Sequence, residues 1–152
     1  MKEQIVYLDS SAIVKRYIKE PGSDKVREIY LKAYSGEVIL SYSIWNIGEV
    51  LGVFDRARRL NRIDDEVYSI VRRRFLLEVK RMTKTSLLLI IPLRLKILKE
   101  SWKLIEEYHI YEADAIQIAS ARYINATQFL TGDKELHKVA ISEKLNSIYL
   151  GQ

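Results

Sequence analysis

Ile5-Val6-Tyr7-Leu8-Asp9-Ser10-Ser11 decides the architecture, because an unbroken apolar run stops abruptly on an acid and two hydroxyls. A short continuous apolar run that ends on helix-start residues reads as a buried strand handing the chain to a helix. That helix runs from Ser10 to about Lys19, and Pro21-Gly22-Ser23 breaks it. Strand, polar turn and helix in succession form the building unit of a parallel sheet.

The unit recurs outward from that start. Helical spacing resumes from Asp24 to Tyr34, with Val26, Ile29, Tyr30 and Ala33 on one side, and Val38 to Leu40 reads as a second strand. Ser43 is placed to cap a long helix whose core stripe is Ile44, Ile47, Leu51 and Phe54. Asp64 caps a further helix that reaches about Lys84, and Leu87 to Pro92 is a third strand. Arg94 to Glu107 and Glu112 to Asn125 read as helices, Gln128 to Thr131 as a fourth strand, and Asp133 opens a short helix. Ser147 to Leu150 offers a fifth strand, so the sheet has four or five. The fold class is α/β, with three layers (α/β/α) around a mostly parallel central sheet, and residues 1–152 are expected to form a single domain. In open sheets of this kind ligands bind beyond the carboxyl ends of the strands, and Asp9 and Asp133 sit at such ends.

Composition removes several classes of function. Hydrophobic residues make up 48% and charged residues 30%, as in an ordinary globular protein. The longest apolar run, Leu87 to Leu93, contains Pro92 and falls far short of the roughly 20 residues a membrane helix requires. Met1 to Leu8 is too short for a secretory signal and runs into Asp9, so a cytoplasmic location with no membrane association is expected. The absence of cysteine excludes disulfides, thiolate catalysis and cysteine zinc sites. His109 and His137 lack the spacing of a zinc helix and are read as surface residues. No P-loop or glycine-rich dinucleotide fingerprint is present, and Asp9-Ser10-Ser11 is not the Asp-x-Asp of an aspartate-nucleophile phosphatase. The net charge of +5 is concentrated between Arg56 and Lys84, where ten Lys or Arg face four Asp or Glu. Such a stripe suits a polyanion, and on charge alone it equally suits a solvated helical face.

Most of the 20 acids are interleaved with Lys or Arg or lie on polar helix faces, as in Asp24-Lys25, Glu78-Val79-Lys80 and Glu106-Glu107. Four have apolar flanks that place carboxylates near the core boundary: Asp9, Glu49, Asp114 and Asp133. Taken singly, Asp9 and Asp133 read most simply as helix caps, and Asp114 as an acid favoured by the helix dipole, each contributing about 0.5 to 1 kcal/mol. Glu49 differs, being mid-helix, about 160 degrees around from Ile47, and flanked by Gly48 and Gly52. Convergence of the four carboxylates would demand either protonation of some of them or a cation among them, since two about 4 Å apart repel by roughly 4 kcal/mol at an effective dielectric of 20. An all-oxygen set selects Mg²⁺ or Mn²⁺, and its natural chemistry is metal-assisted phosphodiester cleavage.

YLDSSAIVKRY from Tyr7, the glutamate of SIWNIGEVLGVF, YEADAIQIASA and FLTGDKEL resemble, in order and approximate spacing, the motifs of PIN domains. The likeness is greatest to the VapC toxins of toxin-antitoxin pairs, and from Arg56 to Arg94 only the helix-helix-strand layout matches. The resemblance implies a PIN-like fold and an endoribonuclease using Mg²⁺ or Mn²⁺. It implies Asp9, Glu49, Asp114 and Asp133 as the catalytic acids, with Asp9, Asp114 and Asp133 as metal ligands and Ser10 and Thr131 as supporting hydroxyls. It further implies an RNA substrate, a cognate antitoxin and a homodimer. Arg56, Arg58, Arg59 and Arg62 in the basic segment are then expected to hold the RNA backbone. A non-catalytic binding module and a ribosomal-RNA processing nuclease remain the alternatives, because a fold alone confers no activity.

Overall fold

The apolar run Ile5–Leu8 forms β1, the central strand, which pairs in parallel with β2 (Ile39–Ser43) on one side and β4 (Gln128–Thr131) on the other. Pairing on both edges and helices on both faces explain why Val6, Tyr7 and Leu8 are all buried, and why the strand carries no polar alternation. The computed structural model describes residues 3–151. Between β1 and β2 lie α1 (Ser10–Tyr17) and α2 (Ser23–Tyr34); between β2 and β3 (Leu88–Ile91) lie α3 (Trp45–Arg59) and α4 (Asp65–Lys84). α5 (Leu95–Tyr108) and α6 (Glu112–Tyr123) connect β3 to β4, and α7 (Lys134–Ser142) leads to β5 (Ser147–Tyr149).

The strand order is β3-β2-β1-β4-β5 and every pairing is parallel, so the expected mostly parallel sheet is wholly parallel among the described residues. The connections leaving β1 and β2 step one way across the sheet, and those leaving β3 and β4 step the other way. Right-handed crossovers therefore divide the helices between the two faces and put the switch in direction between β1 and β4. Asp9 and Asp133 follow these two strands.

Local chemistry sets the boundaries. Gly22 caps α2 with φ at 93°, and a Cβ there would lie 2.3 Å from the Leu150 carbonyl oxygen, so the Pro21-Gly22 break also admits the end of the chain. Asp64 caps α4 by accepting from the Val67 amide at 2.7 Å, as its position before the apolar spacing predicts. α3 and α4 pack as an antiparallel hairpin in which Phe54 meets Phe75 edge-on and Arg58 lies 3.9 Å from the Tyr68 ring centre.

Several sequence expectations are corrected. β2 runs to Ser43, because Ser41 and Ser43 are buried strand residues that a search for apolar positions passes over. Ser43 still accepts from the Trp45 amide at 3.1 Å, so it serves the start of α3 from the strand end. The buried stripe of α3 is Asn46, Val50 and Phe54, with Ile47 and Leu51 at its margin and Ile44 exposed. The expected stripe was rotated because a buried asparagine carries no hydrophobic signal. Glu78, expected on a polar face, is buried among donors from two other helices, α1 and α2. His137 is half-buried, with Nδ1 2.8 Å from Ser147 Oγ, while His109 is exposed at the end of α5. Among the described residues no helix is long and apolar enough to cross a membrane.

Candidate active site

Four acids meet at the carboxyl ends of β1 and β4. Asp9 is almost wholly buried and caps α1: its Oδ1 accepts from the Ala12 amide at 2.9 Å and from Ser11 Oγ at 2.6 Å. Its Oδ2 accepts from the Thr131 hydroxyl, which joins β1 to β4 across the switch point. The Thr131 oxygen in turn accepts from the Asp133 amide at 3.0 Å, placing Asp133 at the same edge. Asp133 caps α7 through Oδ1, which accepts from the Glu135 and Leu136 amides at 2.9 and 3.1 Å. The capping reading of these two aspartates is thus met, and the caps fix the side chains without consuming every oxygen of Asp133.

Glu49 stands one turn into α3, and its Oε1 accepts from Ser10 Oγ at 2.7 Å, the first residue of α1. Asp114 lies in the first turn of α6, whose cap position is held by Tyr111, so it has no capping bond of its own. Burial, followed by the charges of Asp133 and Glu49, pushes the Asp114 carboxyl up to about 6. Asp9 is also pushed up to about 6: burial outweighs hydrogen bonds from Ser11, Thr131 and Ala12, and the charge of Asp133 adds to it. Like charges therefore add to burial in raising both carboxyls.

The donor set is wholly oxygen and of a kind that suits a hard divalent cation. Asp114, Glu49 Oε2 and Asp133 Oδ2 stand outside the hydrogen bonds just described, whereas both oxygens of Asp9 accept from the protein. Among the described residues no three acids or histidines close into a ready ligand cage, so the side chains are within electrostatic reach without being in joint coordination distance.

Five supporting residues stand outside the acids and hydroxyls expected from the sequence. Ser11 donates to Asp9 and accepts from the Gly132 amide at 2.8 Å; its signal was the second hydroxyl after the Asp9 cap. Gly132 lies close to the end of Lys15, since a Cβ there would come within 2.8 Å of Lys15 Cε and 3.3 Å of Ser11 Oγ, so a side chain at this position would make the lysine end shift. Asn46, Gln117 and Tyr7 form a buried polar network beneath the acids. Gln117 was visible as the one amide within the buried run Ala115–Ala121, and Asn46 as the polar member of an i, i+4, i+8 series with Val50 and Phe54.

The PIN-domain model matches residues 6–142. The chain belongs to the PIN-domain family. This PIN domain is 25% identical to a protein named Ribonuclease VapC6 from Methanocaldococcus jannaschii, over 94% of the chain and 97% of that protein. Its fold is shared with a toxin-antitoxin complex from Klebsiella pneumoniae (TM-score 0.62, 16% identity, 97% of this chain and 98% of that one). It is shared also with VapC20 of Mycobacterium tuberculosis, described as a Sarcin-Ricin loop cleaving toxin (TM-score 0.59, 12% identity, 86% and 92% covered). At such identities the solved structures bear on the fold of the PIN domain alone.

Proposed function

We propose that this PIN domain is a divalent-metal-dependent endoribonuclease of the VapC type, the toxin of a toxin-antitoxin pair, working with Mg²⁺ or Mn²⁺. The observation that carries the reading is the hydrogen-bond chain that brings acids to one sheet edge, Thr131 linking Asp9 to Asp133 and Ser10 holding Glu49, with the Asp114 carboxyl raised by burial and by the charges of Asp133 and Glu49. Such a cluster calls for a cation, and Asp9, Asp114 and Asp133 are the residues that would hold it. A cation there supplies positive charge for the phosphate oxygens and acidifies the attacking water. Glu49 has one oxygen fixed by Ser10 and the other outside that bond, which suits it to take the proton released as water attacks phosphorus. Ser10, Ser11 and Thr131 orient two of the acids. Arg56, Arg58, Arg59 and Arg62 hold the RNA backbone along the α3-α4 hairpin. The ribonuclease and toxin relatives support RNA as substrate and a cognate antitoxin as partner, and a homodimer is the working form proposed with them.

Purified protein is expected to cleave single-stranded or looped RNA when Mg²⁺ or Mn²⁺ is present and to stop when EDTA is added. Cleavage undiminished by EDTA would sink the metal mechanism. RNA binding without cleavage by the cation-loaded, partner-free protein would favour a non-catalytic module.

A further inference from the structure

Beneath the acids, three buried polar side chains tie together the elements that carry them. Gln117 Nε2 donates to Asn46 Oδ1 at 2.7 Å while Asn46 Nδ2 donates to Gln117 Oε1 at 2.8 Å, so the two amides form a reciprocal pair. The Tyr7 hydroxyl donates to the same Gln117 oxygen at 2.8 Å, and Asn46 Nδ2 also donates to the Leu8 carbonyl at 3.2 Å. Tyr7 and Asn46 are 0% exposed and Gln117 2%, which keeps water from competing for these bonds.

The placement of this network follows the acids. Gln117 lies one helical turn after Asp114 on α6, and Asn46 one turn before Glu49 on α3. Residues three apart share a helix face, so the amide pair stands directly next to both carboxylate positions. Tyr7 precedes Asp9 by two residues on β1 and points to the same face of the sheet, while Leu8 gives its carbonyl to Asn46 from the residue adjoining Asp9. Three of the four acids therefore depend on elements that meet at a single buried junction. A reciprocal amide pair has a fixed length and orientation, unlike an apolar contact, and it holds α3 and α6 at one separation beside Glu49 and Asp114.

We infer that the Asn46–Gln117 pair, clamped by Tyr7, is the positioning device that holds Asp114, one of the residues that would bind a divalent cation, at a fixed spacing from Asp9 and Glu49, without itself touching cation or substrate. The inference rests on the function proposed above. Its test is the affinity of the whole protein for Mn²⁺ and Mg²⁺ by calorimetry, with RNA cleavage measured across cation concentration in parallel. Gln117→Met keeps size and removes the pair; cation affinity is expected to fall about 10- to 100-fold, the range usual for groups that orient metal ligands. Cleavage should recover when cation is raised, which a general loss of structure would not allow. Tyr7→Phe removes only the clamp, should shift affinity the same way by less, and serves if Gln117→Met does not fold. The exchange Asn46→Gln with Gln117→Asn rebuilds an amide pair of equal total length and should restore part of the affinity that Gln117→Met loses. Unchanged cation affinity in folded Gln117→Met, or in Tyr7→Phe where Gln117→Met fails to fold, overturns the positioning role and leaves the nuclease reading intact. A wild-type protein that neither binds the cations nor cleaves RNA instead overturns the nuclease reading.

Discussion

Ser10 Oγ donates to Glu49 Oε1 at 2.7 Å, so the first residue of the helix that follows Asp9 holds an acid from a different crossover. Glu49 is thereby held beside the carboxyl end of β1 while remaining half-buried. Its charge reaches Asp114, and that coupling gives the acid cluster a testable sign.

Asp114→Asn should abolish cleavage while keeping or raising the melting temperature in EDTA, because neutralising one member of a like-charged set relieves repulsion. Glu49→Gln should behave in the same way, since glutamine can still accept from Ser10 and no capping bond is lost. Thermal melts beside cleavage assays decide the matter. A variant that retains wild-type cleavage removes its residue from the site.

The two raised carboxyls also set a pH dependence. Asp9 and Asp114, both near 6 in the folded state and near 3.8 as ordinary side chains, bind more protons folded than unfolded. Their stabilising contribution is complete below about 3.8 and is lost as pH rises through about 6. Cation-free protein should therefore gain stability from these groups on acidification from pH 7 toward 5, and Asp114→Asn should show a shallower gain. Protons compete with the cation over the same interval, so cleavage should decline below about pH 6. Identical pH slopes for Asp114→Asn and wild type in cation-free melts would contradict the assignment.

Glu78 predicts a loss of stability alone. Burial by itself would raise its pKa, but hydrogen bonds from Arg16, Tyr34 and Tyr17 outweigh burial and hold the carboxylate below its ordinary value. Arg16 meets it through Nε and Nη2 at 3.0 Å each, with Tyr17 and Tyr34 at 2.8 and 2.7 Å, which fastens α4 to α1 and α2. Glu78→Gln strands a half-buried guanidinium and should cost about 3–5 kcal/mol in a denaturant titration. Cation affinity of the folded protein should not move.

The basic hairpin can be divided. Arg58 and Arg59 are both paired with Asp55, at 2.6 and 3.0 Å, whereas Arg56 and Arg62 are exposed. Replacing Arg56 and Arg62 by alanine should flatten the salt dependence of RNA binding by about 0.7 in slope per lost phosphate contact. Replacing Arg58 and Arg59 should flatten it less, and cation affinity should be unchanged in both. A slope that none of the four replacements alters would mark this face as merely solvated.

Much of the fold was legible because burial on both faces of a parallel strand leaves an uninterrupted apolar run, and caps leave an acid at its end. Ile5–Leu8 with Asp9, and Gln128–Thr131 with Asp133, show both marks, and their strands and helices lie where those marks put them. The basic hairpin was legible as charge, but the pairing of Arg58 and Arg59 with Asp55 depends on side-chain packing.

Sequence by itself determined which residues are acids with apolar neighbours, and the alternation of strand and helix that puts Asp9 and Asp133 at strand ends. Only the tertiary structure decided that Glu49 comes within electrostatic reach of Asp114, because that depends on the relative placement of α3 and α6. The placement is set by Asn46 and Gln117, and a buried amide gives no sign in the apolar pattern of which partner it will find across 71 residues of chain. The same physics hid Glu78: a lone glutamate beside Lys80 and Arg81 is indistinguishable from a solvated one until Arg16, Tyr17 and Tyr34 arrive from other helices to satisfy it.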